Sequence, residues 1–339
     1  MINLQELGRH DDEVFWAADE RPGRVVIVHG PMAEVLWYPD DYPVSALVEL
    51  RHALDVTPVA GDWVALHEGQ IARIEHRSTA LTRPDPDGQS TQTLAANIDL
   101  VLIVLPIDHG LNVKALERLS VMAWDSGAQQ TIALTKADAT ASPEEALEQA
   151  LLAAPGVDVV LTSSMDGTGL DDLRARLGTG VTATMLGASG AGKTTLLNAL
   201  DGRSEFTREV RRDGEGRHST TTRRLYRLQS GGVLLDLPGI RSLDLSASEE
   251  AVAEVFADIT ALARFCHFAD CHHDSEPGCA VRKAIAAGEL DERRLTSWLA
   301  IGRAQGYQER RHDPAKAAEQ RKEWKKATMA SKRGRGRYA

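Results

Sequence analysis

Nine residues rich in glycine form the strongest chemical pattern in the sequence. Gly187-Ala-Ser-Gly-Ala-Gly-Lys-Thr-Thr195 follows an apolar run and matches the Gly-x4-Gly-Lys-Ser/Thr pattern of phosphate-binding loops. Glycines let successive backbone N–H groups curl around a phosphate, and the helix that follows adds the positive end of its dipole. We therefore predict a nucleotide site in which Lys193 bridges the β- and γ-phosphates and the Thr194 hydroxyl binds Mg²⁺. The predicted contacts are Gly187, Ala188, Ser189, Gly190, Ala191, Gly192, Lys193, Thr194 and Thr195.

Two segments after this loop carry groups that could respond to the terminal phosphate. Asp236-Leu-Pro-Gly239 ends an apolar run, where the Asp236 carboxylate could hold a Mg²⁺-bound water and the Gly239 amide could contact the γ-phosphate. Before it lies the hydroxyl-rich run Gly216-Arg-His-Ser-Thr-Thr-Thr222, in which Thr220 or Thr221 could complete the Mg²⁺ shell. An ordinary Asp-x-Pro-Gly turn and a plain Ser/Thr-rich loop are the alternatives.

A carboxylate earlier in the chain could select the base. Thr135-Lys-Ala-Asp138 is similar to the Asn-Lys-x-Asp signature of guanine-binding sites. Guanine presents two parallel N–H donors that the Asp138 carboxylate could accept together, whereas adenine presents no such pair. Lys136 would lay its aliphatic stem over the base. Thr135 departs from the usual Asn, which ties this loop to the phosphate-binding loop, and a hydroxyl could supply only part of that tie.

A second base-contacting segment follows on the next predicted strand. In Leu161-Thr-Ser-Ser-Met165 the backbone N–H groups of two serines could contact the guanine O6. Each pattern is weak alone, but two of them beside a phosphate-binding loop favour GTP, and Asp138 argues against the alternative of an ATP-dependent kinase or hydrolase. All of these residues precede the phosphate-binding loop, which reverses the usual order. The predicted base contacts are Thr135, Lys136, Ala137, Asp138, Ser163 and Ser164.

Changes of pattern along the chain predict three domains. Residues 1–95 contain short β-type runs broken by Gly, Pro and Asp, which indicates a small barrel such as an oligonucleotide-binding (OB) fold. Residues 96–246 begin with a continuous apolar run at 100–105 and then alternate strands with helices, which is typical of a doubly wound α/β sheet. Ligands bind such sheets at the carboxyl ends of the strands. Residues 247–339 are predicted to be helical, and they are more charged.

All three cysteines of the chain fall in one short segment, at Cys266, Cys271 and Cys279. An odd, clustered set suits a metal site in a reducing cytosol better than a disulfide framework. With one imidazole it supplies the ligands of a closed, structural zinc site. The nearby candidates for the fourth ligand are His267, His272 and His273.

Charge is distributed unevenly along the sequence. The whole chain carries a net charge of −10, whereas residues 301–339 hold twelve Lys or Arg against four acidic residues. A basic tail on an acidic body favours a polyanionic partner, and a solubilising tail is the alternative. The N-terminus carries no apolar signal region and no apolar run is long enough to span a bilayer, so we expect a cytoplasmic protein without membrane contact.

Together these motifs resemble the RsgA or YjeQ family of circularly permuted GTPases that depend on the small ribosomal subunit. Gln92-Thr-Leu-Ala-Ala-Asn-Ile-Asp99 and Gly216-Arg-His218 add to a resemblance that covers nearly the whole chain. It implies a permuted α/β P-loop GTPase core with an N-terminal OB-fold β-barrel and a C-terminal, mainly α-helical zinc-binding domain. It implies GTP hydrolysis in late maturation of the small ribosomal subunit, with that subunit and its rRNA as partners. The implied cofactors are GTP or GDP, Mg²⁺ and one structural Zn²⁺, and we expect a monomer.

The resemblance also assigns two histidines. Ile240 stands where Ras-like enzymes place a water-orienting Gln, and an isoleucine cannot orient water. The resemblance points to His218 for that role, beside Lys193, and selects His273 as the fourth zinc ligand. Two other interpretations stay open: a non-enzymatic RNA-binding or assembly module, and a translation-type or transport-type GTPase with a different partner.

Overall fold

The structure is a computed structural model of the chain. It describes residues 4–9, 17, 19–38, 44–50, 54–84, 91–202, 224–236 and 248–312. The chain forms two compact units, one made of 1–82 with 93–243 and the other of 83–92 with 244–339. The first unit contains both a barrel and an α/β sheet, and the predicted cysteine cluster belongs to the second.

A closed five-stranded barrel forms the first part of the first unit. Its strand order is β1-β2-β3-β5-β4, with β3 and β5 parallel, as in the Greek-key barrel of an OB fold. Side chains that alternate along the strands fill the interior, and Val25, Val35, Val64 and Ile71 are fully buried there. The predicted barrel is confirmed. The strands are β1 (Arg21–His29), β2 (Met32–Trp37), β3 (Val44–Leu50), β4 (Trp63–His67) and β5 (Gln70–Ile74).

The chain then passes through two paired strands into a six-stranded sheet flanked by helices. The paired strands are β6 (Ala80–Pro84) and β7 (Thr91–Ala96). The sheet contains β8 (Leu100–Pro106), β9 (Gln129–Thr135), β10 (Asp158–Leu161), β11 (Thr182–Leu186), β12 (Arg224–Arg227) and β13 (Val233–Asp236). The helices are α1 (Val113–Asp125), α2 (Pro143–Ala153), α3 (Leu170–Arg176) and α4 (Lys193–Asp201).

The order of strands in this sheet brings the predicted motifs to one edge. The order is β10-β9-β8-β11-β13-β12, and every neighbouring pair is parallel except β12 with β13. The predicted apolar strand β8 is buried along nearly its whole length, as a central parallel strand requires. The carboxyl ends of β9 and β10 lead into the two predicted base-contacting segments, and β11 leads into the phosphate-binding loop.

One buried arginine joins the barrel to the sheet. Arg24 of β1 is fully buried, and its guanidinium lies 4.7 Å from the centre of the Trp63 ring. Burial lowers the pKa of Arg24 to about 10, so the group stays charged at neutral pH. The side chain donates to the carbonyls of Leu7, Gly8, Gly61 and Asn97 and to the Thr182 hydroxyl. Because Thr182 begins β11, the barrel is tied to the strand that carries the phosphate-binding loop.

Helices make up most of residues 248–312 in the second unit. Ser248 caps the first of its helices, since its hydroxyl accepts from the Ala251 N–H at 3.1 Å. The Arg294 side chain, 7% exposed, pairs with Asp258 at 2.5 Å and lies over the Phe256 ring. No helix within the described ranges has the length and apolar character needed to cross a bilayer. The helices are α5 (Glu249–Val255), α6 (Ala257–Ala263), α7 (Ala280–Ala286) and α8 (Glu292–His312).

Candidate nucleotide site and metal centre

The predicted phosphate-binding loop connects β11 to α4. Gly187 lies so close to β8 that a Cβ atom there would stand 2.4 Å from the Val104 carbonyl oxygen, so only glycine fits. Gly190 and Gly192 have φ of +81° and +93°, values that residues other than glycine rarely adopt. Helix α4 begins at Lys193, so its N-terminal amides point into the loop. This is the strand, turn and helix arrangement that binds a phosphate.

The side chains of the loop are distributed as a phosphate site requires. The Lys193 ammonium donates to the carbonyls of Gly187 and Ala188 at 2.6 and 2.9 Å, so its charge is held over the loop. The buried residues of the loop are Gly187 and Ala191; Gly192 and Lys193 are half-buried; Ala188, Ser189, Gly190, Thr194 and Thr195 are exposed. The two threonine hydroxyls in the first turn of α4 are therefore accessible to a cation.

The first predicted base-contacting segment, at 135–138, is attached directly to the phosphate-binding loop. The Thr135 hydroxyl donates to the Ala191 carbonyl at 2.7 Å, and both residues are buried. Thr135 ends β9, and Lys136 follows in the left-handed region with φ of +62°. Asp138 lies in a single 3₁₀ turn, Ala137–Ala139, and is exposed. The hydroxyl therefore makes one hydrogen bond between the two loops, which is the part of the tie that a threonine can supply.

The second predicted base-contacting segment, at 161–165, is joined to the first by a backbone hydrogen bond. The Ala137 N–H donates to the Thr162 carbonyl at 3.1 Å, which joins the two segments. The Ser163 hydroxyl accepts from the Met165 and Asp166 N–H groups, which closes a tight turn. The Ser163 N–H itself is engaged with the Thr168 carbonyl at 3.0 Å. The Ser164 amide is therefore the better candidate for a base contact, and the sequence treated the two serines as equivalent.

An ion pair beside the base-contacting segment was not predicted. The Lys136 ammonium lies 2.6 Å from a carboxylate oxygen of Asp108, in the loop after β8. The hydrogen bond from Lys136 is the main cause that lowers the pKa of the Asp108 carboxyl below its usual range. No motif in the sequence includes Asp108. The signal that could have revealed it is its place two residues after a buried parallel strand, where ligands bind.

The strand that leads to the predicted Asp236 switch lies beside the phosphate-binding strand. Residues Thr182–Thr184 of β11 pair with Val233–Leu235 of β13, and the Thr184 hydroxyl donates to the Leu235 carbonyl at 2.9 Å. The backbone of Asp236 therefore ends its strand at the same edge as the loop. The Asp236 side chain lies outside what the structure describes, as do the predicted residues His218, Thr220, Thr221 and Gly239.

Three sulfurs and one imidazole converge in the second unit. The ligand atoms of Cys266, Cys271, His273 and Cys279 all lie within 4.8 Å of one another. The Nδ1 atom of His273 is 3.6 Å from the Cys266 sulfur and 3.4 Å from the Cys279 sulfur, and the two sulfurs are 3.9 Å apart. Ligand atoms around a tetrahedral zinc would be about 3.5–3.8 Å apart, given its usual bond lengths. The donor set fits such a site, and the three distances among Cys266, His273 and Cys279 lie close to that range.

The surrounding loop holds these ligands in place. His273 is buried with φ of +58°, and Arg282 donates to its carbonyl at 2.7 Å. The Glu276 carboxylate accepts from the N–H groups of His272, Asp274 and Ser275. These backbone hydrogen bonds, first among them that from His272, lower the pKa of Glu276 to about 2. Of the three histidines that the sequence offers as candidates for the fourth ligand, His273 is the one grouped with the sulfurs.

Comparison with known proteins decides the family. The sequence model of the RsgA GTPase family matches residues 74–246. The chain belongs to the RsgA GTPase family. It is 40% identical to the small ribosomal subunit biogenesis GTPase RsgA of Streptomyces coelicolor, over 92% of this chain and 90% of that protein. It is 36% identical to RsgA 1 of Oceanobacillus iheyensis, over 82% of each.

Solved structures of similar proteins agree with this family assignment. The crystal structure of YjeQ from Thermotoga maritima superposes with a TM-score of 0.63 and 26% identity, over 84% of this chain and 98% of that one. The crystal structure of YloQ, described as a circularly permuted GTPase, superposes with a TM-score of 0.61 and 25% identity, over 86% of this chain and 98% of that one. The predicted resemblance, the permuted core and the assignment as a GTP hydrolase are confirmed. In this chain the two predicted base-contacting segments, at 135–138 and 161–165, come before the phosphate-binding loop at 187–195.

Proposed function

We propose that this protein binds GTP and hydrolyses it to GDP and phosphate during late maturation of the small ribosomal subunit. The observation that carries the nucleotide assignment is the hydrogen bond from Thr135 to Ala191, which joins the base-contacting loop to the phosphate-binding loop. Support for the ribosomal role comes from the relatives, which are named small ribosomal subunit biogenesis GTPases.

In this proposal the nucleotide spans three loops at one edge of the sheet. The phosphates lie against the backbone of the loop at 187–195, with Lys193 on the β- and γ-phosphates. Asp138 accepts the two parallel N–H groups of guanine, and its exposure leaves it accessible to a base. The Ser164 amide contacts the guanine O6, and the stem of Lys136 covers the base plane.

The hydrolytic step uses residues on both sides of the terminal phosphate. Thr194, Asp236 and either Thr220 or Thr221 would hold Mg²⁺, which would supply positive charge to the phosphate oxygens. The Gly239 amide contacts the γ-phosphate. His218 accepts a hydrogen bond from the attacking water and orients it, because the position after Gly239 is isoleucine.

The Cys₃His cluster is proposed to hold one structural Zn²⁺. Four protein ligands close a tetrahedral site, so no position stays open for substrate. The ion would stabilise the segment between α6 and α7, which contains few buried apolar residues.

The rRNA is the proposed contact for the barrel and the basic C-terminal residues. OB-fold barrels bind nucleic acids, and clustered Lys and Arg gain affinity for phosphates by releasing counterions. We propose a cytoplasmic monomer that meets the ribosomal subunit as its partner.

The test is GTP turnover by the full-length protein, alone and with purified small ribosomal subunits, at low and high salt. We expect strong stimulation by the small subunit, little by the large subunit as control, and loss of the stimulation at high salt. Turnover that small subunits leave unchanged at low salt would contradict the ribosomal role. Tight GTP binding with no hydrolysis in any condition would instead favour a non-enzymatic assembly module.

A further inference from the structure

The segment after β8 lies between the two halves of the nucleotide site. In the sheet, β8 has β9 on one side and β11 on the other, so its carboxyl end is flanked by Thr135 and by the start of the phosphate-binding loop. The Ile107 N–H donates to the Thr135 carbonyl at 3.0 Å, which holds this segment against β9. Asp108 is the next residue, and none of the predicted nucleotide contacts includes it.

The backbone of Lys136 is fixed from both sides. Its predecessor Thr135 donates to Ala191, and its successor Ala137 donates to Thr162. The left-handed conformation of Lys136 is unfavourable for a residue with a side chain, so these two hydrogen bonds must maintain it. What remains to be ordered is the long, flexible lysine side chain, and Asp108 binds its far end at 2.6 Å.

We infer that Asp108 is a positioning residue for guanine nucleotides, acting through Lys136. By holding the ammonium group, the carboxylate orders the methylene stem before the base arrives, so binding need not order it. This inference rests on the proposed role of Lys136 as the residue that covers the base. The side chains of Lys136 and Asp108 are 39% and 23% exposed, so the pair is accessible at the site and only partly shielded from solvent.

The direction in which removal of Asp108 changes nucleotide affinity separates a positioning role from a purely electrostatic one. GDP and GTP are polyanions, so a carboxylate that acted only through its charge would repel them, and its removal would strengthen binding. A carboxylate that positions Lys136 has the opposite effect, and its removal weakens binding. The salt dependence of nucleotide binding gives a further test of the positioning role. A partly exposed ion pair is screened at high ionic strength, so the contribution of Asp108 to affinity should decrease there.

The test is a double-mutant cycle on the full-length protein, with dissociation constants for GDP and GTP measured by calorimetry. For Asp108→Ala we expect binding weaker by about two- to fivefold for both nucleotides, the range for a partly exposed ion pair. The KM for GTP should rise by the same factor with little change in kcat. Asp108→Glu should restore part of the affinity, and high salt should shrink the difference from wild type. In a Lys136→Ala background, Asp108→Ala should have no further effect.

Controls make each failure distinct. Asp158→Ala removes a comparable ion pair, with Arg176, from the opposite end of the same sheet and should leave both dissociation constants unchanged. Lys136→Ala with wild-type affinity would refute the proposed role of Lys136 itself. Lys136→Ala with weakened binding, but Asp108→Ala at or above wild-type affinity, would overturn the inference about Asp108 alone. A purely structural role for Asp108 would also overturn the inference. In that case Asp108→Ala would lower the Tm of the nucleotide-free protein, and GDP would raise the Tm of the variant by as much as it raises that of wild type.

Discussion

The hydroxyl of Thr135 is the contact on which nucleotide binding should depend most visibly. Thr135→Val keeps the shape of the side chain and removes its only hydrogen-bond donor, which leaves the Ala191 carbonyl without this partner. The bond is 2.7 Å long, and its two residues are 5% and 1% exposed, so water cannot easily replace it. Leaving a buried acceptor unpaired costs about 1–3 kcal/mol.

Part of this cost should appear as lost affinity. A nucleotide must contact both loops at once, and the hydrogen bond keeps them in register, so we expect GDP and GTP to bind about tenfold more weakly, or about 1.4 kcal/mol. The remainder should appear as a fall in Tm of about 2–4 °C in a unit of this size. Inorganic tripolyphosphate needs only the phosphate-binding loop, so its affinity should change little.

The assay is calorimetric titration of wild type, Thr135→Val, Thr135→Ser and Thr135→Asn with GDP, GTP and tripolyphosphate. Serine keeps the donor and serves as the matched control, and asparagine restores the residue more usual at this position. Guanine nucleotide affinities that are equal in the Val and Ser variants would refute the reasoning. Equal losses for GDP and tripolyphosphate would show that the substitution damages the phosphate-binding loop instead.

Three further substitutions address the remaining parts of the protein. His218→Ala should lower kcat by about a hundredfold or more, as loss of a positioned proton acceptor does, and leave the GTP dissociation constant nearly unchanged; equal losses in both would contradict its role. Cys279→Ala should abolish bound zinc and lower the Tm, both measured on purified protein, whereas His272→Ala should retain the metal. Arg24→Met should lower the free energy of unfolding by about 3 kcal/mol or more, measured by chemical denaturation, because several carbonyls lose their donor. Arg24→Lys should lower it less. A Met variant as stable as wild type would show that these hydrogen bonds contribute nothing to stability.

Elements with strong local patterns could be predicted from the sequence. The apolar run at 100–105 forms β8, and the phosphate-binding loop is followed by a helix, α4, as hydrophobicity and loop chemistry indicate. Strand β3 has a weak local pattern because it contributes little to the core: Val48 is its only buried residue, and its exposed positions include Leu47 and Glu49. Pairing with β2 on one side and β5 on the other forms it instead.

The contacts that organise the site were beyond local reasoning. Arg24 reads as an ordinary charged residue at the start of a strand, and only tertiary structure brings it to Thr182, 158 positions later. Asp108 and Lys136 likewise meet because two neighbouring parallel strands end together. The zinc ligands show the same limit: His267, His272 and His273 all lie close to the cysteines in the sequence, and only tertiary structure shows that His273 is the one of these three grouped with the sulfurs.

Substitution of one carboxylate tests most directly whether the permuted loops form a guanine site. Dissociation constants for GDP, XDP and ADP should be measured on wild type and Asp138→Asn. Wild type should bind GDP far more tightly than ADP, and the variant should lose about a hundredfold in GDP affinity, because two charge-assisted hydrogen bonds are lost. The variant should gain affinity for XDP, whose 2-oxo group can accept from the new amide. Wild-type affinity for ADP equal to that for GDP, or a variant that binds GDP as wild type does, would contradict the account.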